Sequence, residues 1–292
     1  MLHNSLAIQQ AILKTIIYAD IFTCSLKTKE IYQKLQYNQK IAYQTFKHNL
    51  EILIKNKKIY CQQDFCILIQ RQELIALRKQ RIKISLSKQK ILERRLKYFK
   101  IIPFIKAIFL TGSVATQNCR EEDDIDLLII CQKNSLWLCR ILVVLWSDLL
   151  RIRRKPKDKI FTNKLCFNIF LEESSLTLAK NQQNIFSANE LIQAKALLDK
   201  DQFADKLLQD NIWILDFLAQ SFVIKDSPHK IERTSYLLSL INKIAYLLQR
   251  SYMRSKITQE TIKYDQAFFH KQNLSIIIQK EFNTRKKAFG LI

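Results

Sequence analysis

The sequence predicts an α/β (α+β) protein with an N-terminal unit of helices and a hairpin, a mixed-sheet core and a C-terminal helical bundle. Three successive hydrophobic patterns predict this class. Helical spacing dominates the first part of the chain, short apolar runs of strand length alternate with a helix in the middle, and helical spacing returns beyond Glu190. The predicted parts are residues 1–70, 71–100, 101–199 and 200–292.

The composition indicates a folded protein with a strong positive charge. Hydrophobic residues make up 48% of the chain, which is ample for real cores, and the formal net charge is +22. A basic surface attracts polyanions, so this charge favours a nucleic-acid partner. The chain is also rich in Lys, Ile, Asn and Gln, with only 2 glycines and 3 prolines. A general compositional bias therefore remains the alternative explanation of the charge.

The cysteines predict a reduced, cytoplasmic protein. Their number, seven, is odd, and no Cys-x-x-Cys pair occurs. A zinc site at Cys61 and Cys66 with His48 is a weaker alternative because the cysteine spacing is poor. The N-terminus has no secretory pattern, and the longest apolar stretch, 136–152, is interrupted by an arginine and an aspartate. We expect a buried amphipathic helix there and no membrane association.

The N-terminal part carries three helical patterns followed by a hairpin pattern. Apolar residues recur every four positions between Ser5 and Phe22, a short segment follows from Thr28 to Leu35, and the clearest helix covers about 42–56. Two short strands with a polar turn at Gln62–Asp64 come next. This order resembles a winged helix-turn-helix domain over residues 5–70.

The winged-helix resemblance implies a nucleic-acid partner. Helix 42–56 would enter the major groove of DNA, and the turn at 62–64 would touch the backbone. Residues 71–100 hold eleven Lys or Arg and two Glu, which predicts a long connecting helix with a basic exposed side. DNA or RNA is thus an expected partner of both segments. A winged helix that contacts protein, and a merely solvated basic face, remain the alternatives.

The middle of the chain has the pattern of an α/β core. Two apolar runs, Ile105–Leu110 and Ile125–Ile130, are typical of buried strands separated by a helix-length segment. A helix is predicted at 135–152, followed by a basic loop at 151–159 and a third strand at Lys164–Leu171. The loop could hold a triphosphate or another polyanion, although a solvated charge run is the commoner explanation.

The central motif joins a glycine turn to a pair of carboxylates. Gly112-Ser113 ends the first strand, and Asp124-Ile125-Asp126 opens the next. Side chains alternate along a strand, so Asp124 and Asp126 point to the same face. Their charges repel unless cations neutralise them, and Mg2+ suits oxygen ligands. Gly112 would let backbone N–H groups approach a phosphate closely, and Ser113 adds a hydroxyl.

This motif resembles that of the DNA polymerase beta-like nucleotidyltransferase superfamily, over residues 101–200. The matching segments are the run from Leu110 to Ser113 and the run from Asp124 to Ile129. The resemblance implies an enzyme that transfers a nucleoside monophosphate from a nucleoside triphosphate to an acceptor. It assigns Mg2+ (or Mn2+) to Asp124 and Asp126, and the nucleotide's phosphates to Gly112 and Ser113.

One feature departs from the family pattern, in which the next strand carries a third carboxylate. Here Leu165, Phe167, Ile169 and Leu171 should form one apolar face, which leaves Cys166 and Asn168 on the face of the site. Asn168 would offer a neutral oxygen to a metal or would bond to a neighbouring backbone group.

Three other residues of the chain could also be considered for the site. Glu172 and Glu173, just beyond the strand, are positional substitutes for the third carboxylate. His270 is expected at the edge of a core rather than as a base.

Two functions therefore follow from the sequence. The first is a metal-dependent nucleotidyltransferase with Asp124, Asp126 and Asn168 in its catalytic site. The second is a DNA-binding regulator in which a degenerate transferase domain only senses nucleotide.

Overall fold

The computed structural model describes residues 2–156, 158–225, 235–254, 260–269 and 274–291. Lys157 of the basic loop and His270 lie outside these ranges. Within them the chain has a mixed α/β architecture, with one three-stranded and one six-stranded sheet. The part of the chain that the structure describes contains no helix long and apolar enough to span a membrane.

The N-terminal unit contains three helices and a small antiparallel sheet. Its elements are α1 (Leu2–Ile21), β1 (Leu26–Lys27), α2 (Thr28–Gln33), α3 (Tyr43–Lys55), β2 (Ile59–Gln62) and β3 (Phe65–Leu68). The strands lie in the order β1-β3-β2. Apolar residues spaced at helical intervals, such as Ile12 and Ile16 on α1 and Phe46 and Leu50 on α3, form its core. The three helices and the hairpin are confirmed, and the two-residue β1 was too short to predict.

The hairpin corrects the expectation about its cysteines. Cys61 and Cys66 lie directly opposite each other on β2 and β3, with Cα atoms 4.1 Å apart, and they form a disulfide. A disulfide sulfur is not available as a thiolate ligand, so the zinc site with His48 is wrong. The expectation of a reduced protein fails for this pair, because strand pairing brings the two side chains together.

Helix α4 (Glu73–Leu96) is the predicted connecting helix, but its basic residues divide between two faces. Lys79, Lys83 and Lys90 are exposed, whereas Arg78, Arg81 and Lys88 are buried. The buried cations fall at near-helical spacing on the face that packs against the core. Only about half of the basic residues of this helix therefore lie on the predicted exposed side.

The six-stranded sheet forms the centre of the molecule. Its elements and their covering helices are β4 (Ile105–Leu110), α5 (Gly112–Ala115), β5 (Ile125–Cys131), α6 (Leu136–Leu149), β6 (Leu165–Glu172), α7 (Ile185–Gln193), β7 (Lys195–Asp199), α8 (Phe203–Gln209), α9 (Tyr236–Met253), β8 (Thr261–Ile262), β9 (Gln266–Phe268) and α10 (Leu274–Ala288). The strand order is β7-β4-β5-β6-β9-β8. β5 and β6 are parallel, and the other neighbours are antiparallel.

The predicted all-helical character beyond Glu190 is wrong. β7 joins the sheet beside β4, and β8 and β9 extend it beyond β6. Strands of two to five residues are too short to show a period of two, and β9 obtains its partner from a strand almost 100 residues earlier in the chain. The region 200–292 is therefore partly sheet rather than a helical bundle.

The two faces of the sheet are covered by different elements. On one face, β-strand residues such as Phe109 and Leu128 share a core with α1, α7 and α8. On the other face, residues such as Ile108 and Leu127 share a core with α6 and the end of α4. The N-terminal unit consequently covers the face to which Asp124 and Asp126 belong by strand alternation.

Candidate metal centre

The predicted acidic residues meet at one end of the sheet, where β4 finishes and β5 and β6 begin. One ligand atom each from Asp124, Asp126 and Cys166 lies within 4.8 Å of the other two. Asp126 and Cys166 are opposite each other on the parallel strands β5 and β6. The prediction that strand alternation places the two aspartates side by side is confirmed.

Gly112 packs directly against Asp126. Its φ is +65°, and a Cβ at this position would lie 2.3 Å from Asp126 Oδ2. The N–H of Thr111 donates to the backbone oxygen of Asp126 at 3.0 Å, which holds the turn against the strand. Both the left-handed backbone and the lack of space therefore require glycine.

The helix after this turn is shorter than the sequence predicts. α5 covers only Gly112–Ala115, and the chain leaves it at Gln117, whose φ is +57°. The rest of the segment before Asp124 is a loop, held in part by the hydroxyl of Ser113, which donates to Asp123 Oδ2 at 3.0 Å. Ser113 is at the site, with its hydroxyl committed to the loop.

The buried cations of α4 hold the same loop. Lys88 Nζ donates to the backbone oxygens of Glu121 and Asp123 at 2.7 and 2.6 Å. Arg78 donates to the backbone oxygen of Thr116 at 2.7 Å. These charge-assisted bonds fix the chain that leads into Asp124. The basic helix thus positions the acidic site.

Asn168 lies beside Asp126, as predicted. Its side-chain N–H2 donates to Asp126 Oδ1, and its Oδ1 accepts from the Cys166 thiol at 3.0 Å. The amide therefore presents its donor, not its oxygen, to the acidic pair. This arrangement orients one carboxylate of the site.

A β-bulge at Asn168 corrects the predicted face pattern of β6. Leu127 is opposite Phe167 and Leu128 is opposite Ile169, so Asn168 is an extra residue. After it, Ile169 and Leu171 pack with the core on the site's face, and the predicted single apolar face is wrong. A bulge shifts the alternation by one residue.

Glu172 and Glu173 do not replace the third carboxylate. Glu172 is opposite Cys131, at the other end of β5 from Asp126, and Glu173 Oε1 accepts from the N–H of Lys133 at 2.9 Å. Five residues of strand, about 16 Å, separate that end from the acidic pair. Their proposed role as substitutes is wrong.

Arg154 is a site residue that the sequence analysis left within a solvated charge run. Its Nη1 contacts Asp124 Oδ2 at 2.7 Å, and its guanidinium stacks over Phe161 with a distance of 4.3 Å to the ring centroid. The neighbouring Arg153 pairs instead with Asp148 through two bonds of 2.8 Å. An acid cluster needs a nearby positive charge, and this need was the signal in the sequence for a residue such as Arg154. It did not specify which basic residue supplies the charge.

The site's electrostatics favour cation binding. Burial and the charges of Asp124 and Glu190 raise the pKa of Asp126 to about 8, against the opposing effects of Asn168 and Arg154. Burial, with the charges of the two aspartates, also raises the pKa of the Cys166 thiol. A bound cation would relieve this repulsion.

The acidic residues line a cavity of about 990 Å³. Its walls include Tyr18 and Lys34 from the N-terminal unit and Glu190 from α7, as well as the strands of the core. Burial raises the pKa of Glu190 to about 7. The sequence analysis did not single out Glu190, because no local pattern distinguishes it from other helical glutamates.

The acid pair has the donor chemistry of a Mg2+ or Mn2+ site. Mg2+ is held in proteins by one or two carboxylates together with water and substrate phosphates, and Asp124 and Asp126 supply that pair. The Cys166 thiol is a soft donor, which Mg2+ does not favour. The two carboxylates thus fit a hard divalent cation that takes its remaining ligands from outside this cluster.

Comparison of the chain with protein-family models, with curated proteins and with solved structures finds no significant match.

Proposed function

We propose that the protein is a metal-dependent nucleotidyltransferase. The observation that carries this proposal is the convergence of Asp124, Asp126 and Gly112 in the lining of a cavity large enough for a nucleotide. In the proposed reaction an acceptor oxygen attacks the α-phosphorus of a nucleoside triphosphate, the bond to the β-phosphate oxygen breaks, and pyrophosphate leaves.

The residues of the chain divide the work of this reaction. Asp124 and Asp126 hold Mg2+ or Mn2+, which would neutralise charge that develops on the phosphates. The turn at Gly112-Ser113 lies against the Asp126 carboxylate, so phosphates bound to a metal on that carboxylate would lie close to the turn. Asn168 keeps Asp126 oriented through its donated hydrogen bond.

Labelled nucleotides test this proposal. We expect the full-length protein, incubated with each α-labelled nucleoside triphosphate and Mg2+ or Mn2+, to release pyrophosphate or to label itself. Asp124→Asn and Asp126→Asn should abolish that turnover. Asp64→Asn makes the same chemical change at an exposed position of the hairpin and should leave it intact. Turnover that persists in both site variants would contradict the proposal.

A second candidate function is a DNA-binding regulator that senses nucleotide. Two observations favour it: Asn168 offers Asp126 a donor where the family has a third carboxylate, and α3 has an exposed polar face. That face carries Gln44, Lys47, His48, Glu51 and Lys55. In this alternative the N-terminal unit acts as a winged helix, with α3 in the major groove.

DNA binding by the full-length chain separates the candidates. If the regulator is correct, affinity for duplex DNA should fall steeply as salt rises, because each phosphate contact releases counterions. Replacing Lys47 and Lys55 together by Gln should reduce the salt slope, whereas the same change at exposed Lys200 and Lys243 should not. Nucleotide binding without pyrophosphate release, combined with DNA binding, would favour the regulator.

A further inference from the structure

Arg154 forms an ion pair with a carboxylate that would hold the proposed metal. Its guanidinium bonds Asp124 Oδ2 at 2.7 Å, and Asp124 is one of the three donors of the acidic cluster. The side chain of Asp124 is 11% exposed and that of Arg154 is 40% exposed. The carboxylate of Asp124 is thus largely buried, whereas the guanidinium of its partner Arg154 is partly exposed to solvent.

The backbone of Arg154 is anchored independently of this ion pair. Its N–H donates to the backbone oxygen of Leu165 at 2.9 Å, and Leu165 N–H donates to the oxygen of Ile152 at 2.8 Å. These bonds tie the loop to the start of β6. Movement of the guanidinium away from Asp124 therefore requires rotation of the side chain relative to the Phe161 ring but no movement of the backbone.

The alternative position for the guanidinium is the cavity itself. Arg154 lines it together with Lys155, the next residue of the same loop, so this loop forms a cationic wall beside Asp124. Arginine binds phosphate oxygens in a bidentate manner, with strong charge-assisted hydrogen bonds. A polyphosphate bound to metal at Asp124 and Asp126 would place negative oxygens in the part of the cavity that this wall borders.

We propose that Arg154 is an exchangeable cation: it neutralises Asp124 in the metal-free site, and metal binding releases it to hold the phosphates of the nucleotide. This inference rests on the proposed function and adds a coupling between metal and nucleotide. Because Arg154 competes with the metal but assists the nucleotide, each ligand promotes binding of the other. Such coupling is reciprocal by thermodynamic necessity.

Arg154→Gln tests the exchange, with Arg153→Gln as the matched control. Both variants remove one positive charge from the same loop, but Arg153 pairs with Asp148 and not with a residue of the acidic cluster. Binding of Mn2+ alone is measured by the electron-spin signal of the free ion. Binding of a fluorescent, non-hydrolysable ATP analogue is measured in saturating Mg2+. Melting curves confirm that each variant is folded.

Arg154→Gln should bind Mn2+ alone roughly two- to fivefold more tightly, the size of effect expected of a half-exposed ion pair. It should bind the Mg2+-ATP analogue about tenfold more weakly, because charge-assisted bonds to phosphate are lost. Arg153→Gln should stay within about twofold of wild type in both measurements. Arg154→Lys keeps the charge and should fall between wild type and Arg154→Gln.

Mn2+ affinity that is unchanged or weaker in Arg154→Gln would overturn the proposal, since Arg154 would then be a fixed structural partner of Asp124. A wild-type protein that binds no Mn2+ would overturn it as well. The opposite shifts in metal and nucleotide affinity would support the exchange even if no pyrophosphate were released. In that case the transferase function fails while the inference stands, so the two failures are distinguishable.

Discussion

A Cβ on Gly112 would lie 2.3 Å from Asp126 Oδ2, so the turn after β4 and the carboxylate on β5 fit each other only because residue 112 is glycine. The contact joins two residues that lie 14 positions apart in the sequence motif. It explains why one of the 2 glycines of the chain stands here. The other, Gly290, has nearly the same φ, +66°, but no heavy atom within 4 Å of its Cβ position.

Gly112→Ala should therefore displace Asp126 as well as strain the backbone. We expect a loss of about 2–4 kcal/mol in unfolding free energy, from the left-handed conformation and the steric clash together. Mn2+ affinity should fall in parallel. Gly290→Ala is the control, because it carries the backbone strain without the clash and should cost about 1 kcal/mol. Equal losses in both variants, measured by denaturant unfolding, would contradict the clash.

Asn168→Asp should make the site depend on metal. The substitution removes the donor to Asp126 and adds a third negative charge, so stability in a chelator should fall by about 1–3 kcal/mol. Mn2+ should raise the melting temperature of the variant more than that of wild type, because a carboxylate is a better ligand than an amide. Asn38→Asp, at an exposed position of the N-terminal unit, is the control and should show neither effect. A stability loss that Mn2+ does not reverse would remove Asn168 from the site.

Lys88→Met should loosen the loop that leads to Asp124. The ammonium, which is itself buried, donates to the backbone oxygens of Glu121 and Asp123 and to the side-chain oxygen of Asn163, and its loss leaves these acceptors without their cation. We expect a loss of about 1–3 kcal/mol and weaker Mn2+ binding. Lys90→Met, on the exposed side of the same helix, should change stability by less than about 0.5 kcal/mol. Similar losses at both positions would contradict the assigned role.

The unfolding free energy of Glu172→Gln should increase relative to that of wild type as the pH rises. Burial raises the pKa of Glu172 from its ordinary value of 4.5 to about 7, although nearby backbone N–H groups of Asn134, Leu136 and Ser135 lower it in part. Below pH 4.5 the carboxyl is neutral in both folded and unfolded chains. Between pH 4.5 and 7 the unfolded chain ionises first, so wild type loses stability as the pH rises, and glutamine does not.

The difference in unfolding free energy between Glu172→Gln and wild type should therefore widen across this window, on the order of 1–3 kcal/mol in total. Denaturant titrations at pH 5 and pH 8 measure it. A difference that is the same at both pH values would show that ionisation of Glu172 does not contribute.

The sequence by itself determined the features that depend on local geometry. The shared face of Asp124 and Asp126 follows from strand alternation, and α3 follows from apolar residues spaced three and four apart. Asn168 was also located correctly, because alternation along β6 holds up to that residue. Each of these predictions needs only the dihedral pattern of one segment, which the chain encodes within a few residues.

The tertiary structure decided the features that depend on partners distant in the chain. Arg154 finds Asp124 across 30 residues, and Lys88 finds Asp123 across 35, so neither pairing leaves a local signal. The bulge at Asn168 arises from the register between β5 and β6, and the short strands β9 and β8 join the sheet through the pairing of β9 with β6 and of β8 with β9. The residues of a basic run all carry the same charge, so the sequence does not distinguish one of them from another. Packing alone separates the cations that build the site from those that face water, because burial requires each of them to find a specific oxygen.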